Sequence, residues 1–147
     1  MSYNAQQNAW TPCQIGKIHR NFAKLRSRQR KLLIPTWCKL DERKTIYIRQ
    51  EMHWKGAKDL ESHVVIEKGG ILEISSRVSL PKGAKIIIHP TAQLRLNSTA
   101  RLHNDCGELW EGIEVLSSAG QKGQVVIVGS PKIENMRHEI PAVDAEL

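Results

Sequence analysis

The stretch VVIEKGGILEISSRVSLPKGAKIIIHPTAQLRLNSTARL, residues 64–102, decides the fold. Its apolar residues stand in pairs one position apart: Val64 and Ile66, Leu72 and Ile74, Val78 and Leu80. Twenty-two positions further on, the pairs return without a gap as Ile86 and Ile88, Leu94 and Leu96, Ala100 and Leu102. Period-two spacing puts both members of a pair on one face of an extended strand, and a fixed-period repeat marks a stacked architecture. Small or turn-forming residues separate the pairs, Gly69-Gly70 in the first copy and Thr91-Ala92 in the second. Three short strands per repeat, each bonded to strands of the neighbouring repeats, make a triangular rung with its apolar pairs pointing inward. The chain therefore reads as mainly β: a short parallel β-helix, or β-solenoid, of about 22 residues per rung, with these twelve positions as its core. A β-sandwich of evenly spaced strands is the alternative, but nothing in a sandwich demands a gap-free register.

Downstream, Trp110, Ile113 and Val115, then Val125, Ile127 and Val128, continue the pattern with a slip that predicts a longer loop around 117–122, and Ile133 is expected to open another coil. Upstream, Thr11-Pro12 with Gln14 is a helix-start signature: a hydroxyl cap, proline in the first turn, and an amide placed to reach back. Ile15, Ile18, Phe22 and Leu25 then recur at helical spacing, giving an N-terminal amphipathic α-helix whose basic face carries Lys17, Arg20, Lys24 and Arg28. The narrowness of that stripe favours packing on protein over lying on a membrane. Pro35 closes the helical region. Residues 35–63 read as a connection and N-terminal cap, with one half-buried strand carrying Ile46 and Ile48, and with Trp54 and Leu60 covering an end. Residues 64–147 read as the β-helix, which is expected to be truncated.

Lys and Arg number 22 against 15 Asp and Glu, a net charge of +7. All of the excess lies in residues 1–40, which hold eight cations and no acid. Such a cluster suits phosphates, but apart from Phe22, which falls on the apolar stripe, it lacks aromatic platforms for bases, so nucleic acid is a disfavoured partner. No apolar run is long enough to span a bilayer, and residues 1–11 lack a secretory signal pattern. Cys13, Cys38 and Cys106 have no metal-ligand spacing, and their odd number leaves pairing and compartment open. His19, His53, His63, His89, His103 and His138 form no i, i+4 pair and read as surface or turn residues. No catalytic motif is evident, and no cofactor or metal site is expected in this chain. Glu67, Glu73, Glu108, Glu111 and Glu114 are the carboxylates that a carbohydrate-active β-helix could use. Asn97-Ser98-Thr99 has the form of a glycosylation sequon, but its place at a corner favours a turn.

The segment 64–115, with Asn104-Asp105-Cys106-Gly107 leading into Trp110-Glu111-Gly112-Ile113-Glu114-Val115, resembles the right-handed parallel β-helix modules of large secreted bacterial surface proteins. Ser130-Pro131-Lys132-Ile133-Glu134-Asn135 is similar to the start of a further rung in them. The N-terminal piece, Met1-Ser2-Tyr3-Asn4 with Pro12-Cys13-Gln14-Ile15-Gly16 and Ile18-His19-Arg20-Asn21, resembles the end of a pappalysin-like metzincin protease domain. There a Met-turn precedes the last helix, and Met1 and Tyr3 match its methionine and tyrosine. The zinc-binding His-Glu-x-x-His run of metzincins is missing: His138-Glu139 has Ala142 where the second ligand should stand. The resemblance implies that residues 1–34 are a helical remnant of a protease domain, and that zinc belongs to the full-length parent alone. It implies an extracellular or cell-surface location and a noncatalytic module that spaces, anchors or binds. The partners expected are the upstream protease domain, downstream rungs, and surface glycan or protein. Self-association through the open end of the solenoid is also expected, because unpaired strand edges recruit further strands.

Overall fold

The computed structural model describes residues 10–138. The chain divides into two compact units, Met1–Ile34 and Pro35–Leu147. In the first, helix α1 spans Pro12–Ala23 and starts as its sequence signature dictates. The Thr11 hydroxyl accepts from the Gln14 N–H, and the Gln14 side chain accepts from the Thr11 N–H at 2.9 Å. After the helix the chain folds back on its C-terminus. Ser27 donates to the Asn21 carbonyl, and the Arg30 guanidinium donates to the Phe22 carbonyl at 3.0 Å. A cation there meets the negative end of the helix dipole. No residue of α1 is fully buried.

The second unit is mainly β. Its strands are β1 (Ile46–Ile48), β2 (Glu51–Trp54), β3 (Lys58–Asp59), β4 (Val64–Ile66), β5 (Ile71–Ile74), β6 (Arg77–Ser79), β7 (Lys85–Ile88), β8 (Gln93–Leu96), β9 (Arg101–His103), β10 (Gly112–Val115), β11 (Ser117–Ser118), β12 (Gln121–Lys122), β13 (Gln124–Ile127) and β14 (Lys132–Ile133). Three four-stranded parallel sheets are built in the orders β1-β4-β7-β10, β2-β5-β8-β13 and β3-β6-β9-β14. The chain thus visits the three sheets in the same sequence four times, and each visit is a tier.

Parallel in-register pairing sets like above like. Ile46, Val64, Ile86 and Ile113 form one column of partners, and Ile48, Ile66, Ile88 and Val115 the next. Met52, Leu72, Leu94 and Val125 form a third, and Trp54, Ile74, Leu96 and Ile127 a fourth. Lys58, Val78, Leu102 and Ile133 complete the set. All twelve core positions read from the sequence are buried. At about 1.5–3 kcal/mol for each fully buried Val, Leu or Ile, these columns are the main source of stability.

The structure corrects four details. Residues 46–59, assigned to a connection and cap, are the first tier; Trp54 and Leu60 belong to it, both 6% exposed. The strand read from Ile46 and Ile48 is β1, but its place in a tier was illegible because the partners lie 18 to 20 residues away and the inward positions include Met52 and Lys58. Val78 pairs with Leu102 rather than Ala100. The corner before β9 takes residues 97–100 where the corner before β6 takes 75–76, and an even insertion leaves the inside-outside parity unchanged. The loop expected around 117–122 is an antiparallel hairpin, β11-β12. Ile133 completes the fourth tier instead of opening a new coil, and Met136 is the residue that bridges onward, to Trp110.

Corners carry the backbone strain. Gly69 has φ +75°, and its counterpart in the next tier, Thr91, has φ +69°, a region costly for a β-branched residue. A Cβ on Gly70 would lie 2.4 Å from the Ile48 carbonyl oxygen of the tier before. Thr91→Gly should therefore raise unfolding stability by about 1 kcal/mol, strain relief exceeding the entropy of the added glycine. Leu94→Ala, inside the third column, should lower it by about 2–5 kcal/mol. Urea unfolding of the two variants checks both, and a destabilised Thr91→Gly would contradict the corner geometry.

Candidate functional site

Two polar regions stand out on the second unit. On the third sheet, Val78 and Leu102 point inward, so Ser79 and His103 point outward, yet they are only 1% and 3% exposed. What covers them is the loop after β9. Its Asn104 side chain accepts from the N–H groups of Cys106 and Glu108 and donates to the Leu80 carbonyl, which folds the loop around one buried amide. The Asp105 N–H donates to the Ser79 hydroxyl, the Trp37 indole N–H donates to the Asp105 carboxylate at 3.0 Å, and Cys38 is disulfide-bonded to Cys106. Segment 37–38 is thereby fastened over the sheet.

Beneath the cover, Arg77 Nη1 donates to Asp59 at 2.8 Å and lies 3.4 Å from His103 Nε2. A guanidinium has no acceptor, so Nε2 accepts and the ring proton sits on Nδ1. Burial, reinforced by the charges of Arg101 and Arg77, holds the His103 pKa below its ordinary value. The imidazole is neutral and structural. This cluster joins Asp59, Arg77, His103 and Asp105 from three separate chain segments, and nothing in their sequence spacing announced it.

The second region is an open pocket of about 340 Å³ beside β10, lined by Lys85, Glu111, Gly112, Ile113, Glu114, Val115 and His138. Glu114 pairs with Lys85 at 3.1 Å, and Glu111 with His138 at 3.3 Å and Arg137 at 3.6 Å. Each carboxylate thus faces a cation, an arrangement suited to holding a polar ligand. Of the other carboxylates singled out from the sequence, Glu67 pairs with Arg49, Glu108 pairs with Lys82, and Glu73 accepts from Asn97. Across the second sheet, Glu51, His53, Glu73, Gln93, Arg95 and Gln124 form an outward polar ladder with Gln93 bonded to Gln124 at 3.0 Å and His53 to Ser75 at 2.7 Å. Its rows were recoverable from the 22-residue register, which stacks Glu73 on Arg95.

The remaining sequence-derived residues lie elsewhere. Lys17, Arg20, Lys24 and Arg28 are exposed on the first unit, and Met1 and Tyr3 fall outside the described residues. Among the described residues, no three His, Cys, Asp or Glu gather as a metal site, and no helix is long and apolar enough to cross a membrane.

Because His103 is neutral when folded and free to protonate when unfolded, acid favours the unfolded chain. Stability contributed by His103 is full above its ordinary value of 6.5 and falls as pH drops through it. Replacing it, His103→Gln, should flatten the decline of the unfolding midpoint between about pH 7 and pH 5; an unchanged slope would show that the ring is not the titrating group. Compared with models of protein families, with curated proteins and with solved structures, the chain matches none.

Proposed function

We propose that residues 35–138 form one parallel β-helix that serves as a noncatalytic module, spacing, anchoring or binding for an extracellular protein. The observation that carries this reading is the set of side-chain columns through four tiers, which fill the interior mainly with Ile, Leu and Val. The Cys38–Cys106 bond supports an oxidising compartment, since such bonds persist where thiols are not kept reduced. Membership of a secreted metzincin protease rests on the resemblance of residues 1–21, and its zinc would be held by a motif upstream of this sequence. The fourth tier presents Val115, Ile127 and Ile133 only partly covered, which suits further rungs or a second copy stacked there.

A second reading, a carbohydrate-binding β-helix, draws on the pocket beside β10 and the polar ladder. A row of donors and acceptors matches sugar hydroxyls, although no Phe, Tyr or Trp lies on that row for stacking.

Two measurements test the leading reading. In the native exported protein one thiol, Cys13, should react with an alkylating agent, and all three only after reduction. The chain should turn over neither glycans nor peptides, with or without zinc, whereas glycan turnover abolished by Glu111→Gln would replace this reading with a carbohydrate-active one. The bond closes a separation of 68 residues, so Cys38→Ser should also cost about 4 kcal/mol of unfolding stability.

A further inference from the structure

We infer that residues 10–34 form a docking surface for an anionic lipid bilayer. The inference stands apart from the β-helix reading. It rests on two observations within the first unit. Charge is the first: Lys17, Arg20, Lys24, Arg26, Arg28 and Lys31 are exposed in it, with no acidic residue in residues 1–40, so its complement is a dense array of anions. Uncovered apolar surface is the second. Trp10 is 61% exposed, Ile15 44%, Ile18 37%, Leu32 83%, Leu33 37% and Ile34 83%.

The sequence stripe alone is narrow, but further exposed apolar groups flank it. Trp10 precedes the helix, and Leu32, Leu33 and Ile34 follow the fold-back fastened by Ser27 and Arg30, so apolar groups occur before, along and after α1. Single scattered apolar residues are ordinary on protein surfaces; six in a 25-residue stretch together with six exposed cations are not. A nucleic acid would satisfy the charge and leave five aliphatic side chains wet, and Trp10 alone could stack on a base. A bilayer of anionic phospholipid satisfies both. Lys and Arg reach the phosphates with their tips, while Trp10 and the aliphatic groups enter the headgroup–acyl boundary, which has no fixed shape to match.

The test is flotation of the full chain with vesicles of phosphatidylcholine alone and of phosphatidylcholine mixed with phosphatidylglycerol, at low and high salt. Binding should require the anionic lipid, weaken with salt, and be accompanied by a blue shift of tryptophan emission that disappears in Trp10→Phe. Each lysine near the surface contributes about fivefold, so Lys17→Gln with Lys24→Gln and Lys31→Gln should weaken binding about a hundredfold. Ile15→Ser with Leu32→Ser should weaken it about tenfold at unchanged charge. All five positions are exposed, and circular dichroism confirms that the variants fold. Three results overturn the inference: equal binding to neutral vesicles, no binding to either kind, or retention of single-stranded oligonucleotide while vesicles are ignored. The second would assign the apolar face to a protein neighbour.

Discussion

Everything in the second unit depends on one constraint: an apolar side chain in one tier must sit on an apolar side chain of the next. Parallel in-register pairing imposes it, because each residue is bonded beside its counterpart and shares its direction. Leu72 on Leu94, or Ile66 on Ile88, is therefore a packing contact and a register marker together. A slip by one residue would turn every inward side chain outward. A slip by two costs only a corner adjustment, and the chain uses that freedom where Val78 meets Leu102.

The two ends of the columns differ. At the first tier the inward position of β3 is Lys58, whose ammonium lies 5.4 Å from the Trp54 ring. An inward charge over an aromatic face ends the apolar column and discourages another strand from adding there. At the fourth tier the equivalent positions are Ile127 and Ile133, with no charge among them. The two end tiers thus differ by one inward charge, Lys58 in the first against Ile133 in the fourth.

The sides differ as well. The second sheet keeps a solvent-facing polar ladder, whereas the third is roofed by the Asn104–Asp105 loop and segment 37–38. Roofing buries His103 and Ser79, and each buried polar group must then find a partner. Arg77, itself held by Asp59, supplies the partner of His103, and the Asp105 N–H supplies that of Ser79. The disulfide joins the two parts of the roof, segment 37–38 and the loop after β9, over a separation of 68 residues.

By itself the sequence determined what depends on short-range periodicity. Period-two apolar pairs returning every 22 residues specify parallel tiers and name the inward residues of the second and third, and Thr11 with Gln14 specifies the helix start. Of the first tier only the strand with Ile46 and Ile48 was legible, because a column tolerates a methionine and an aliphatic lysine stem at its end, which break the pattern without breaking the pairing. Corner lengths were equally hidden, since parity survives any even insertion. The pocket beside β10, the neutral His103 under Arg77 and the Cys38–Cys106 bond were decided only in three dimensions. Each joins residues whose spacing in the chain is set by loops, and loop length carries no information about which side chains the stacked sheets will finally bring together.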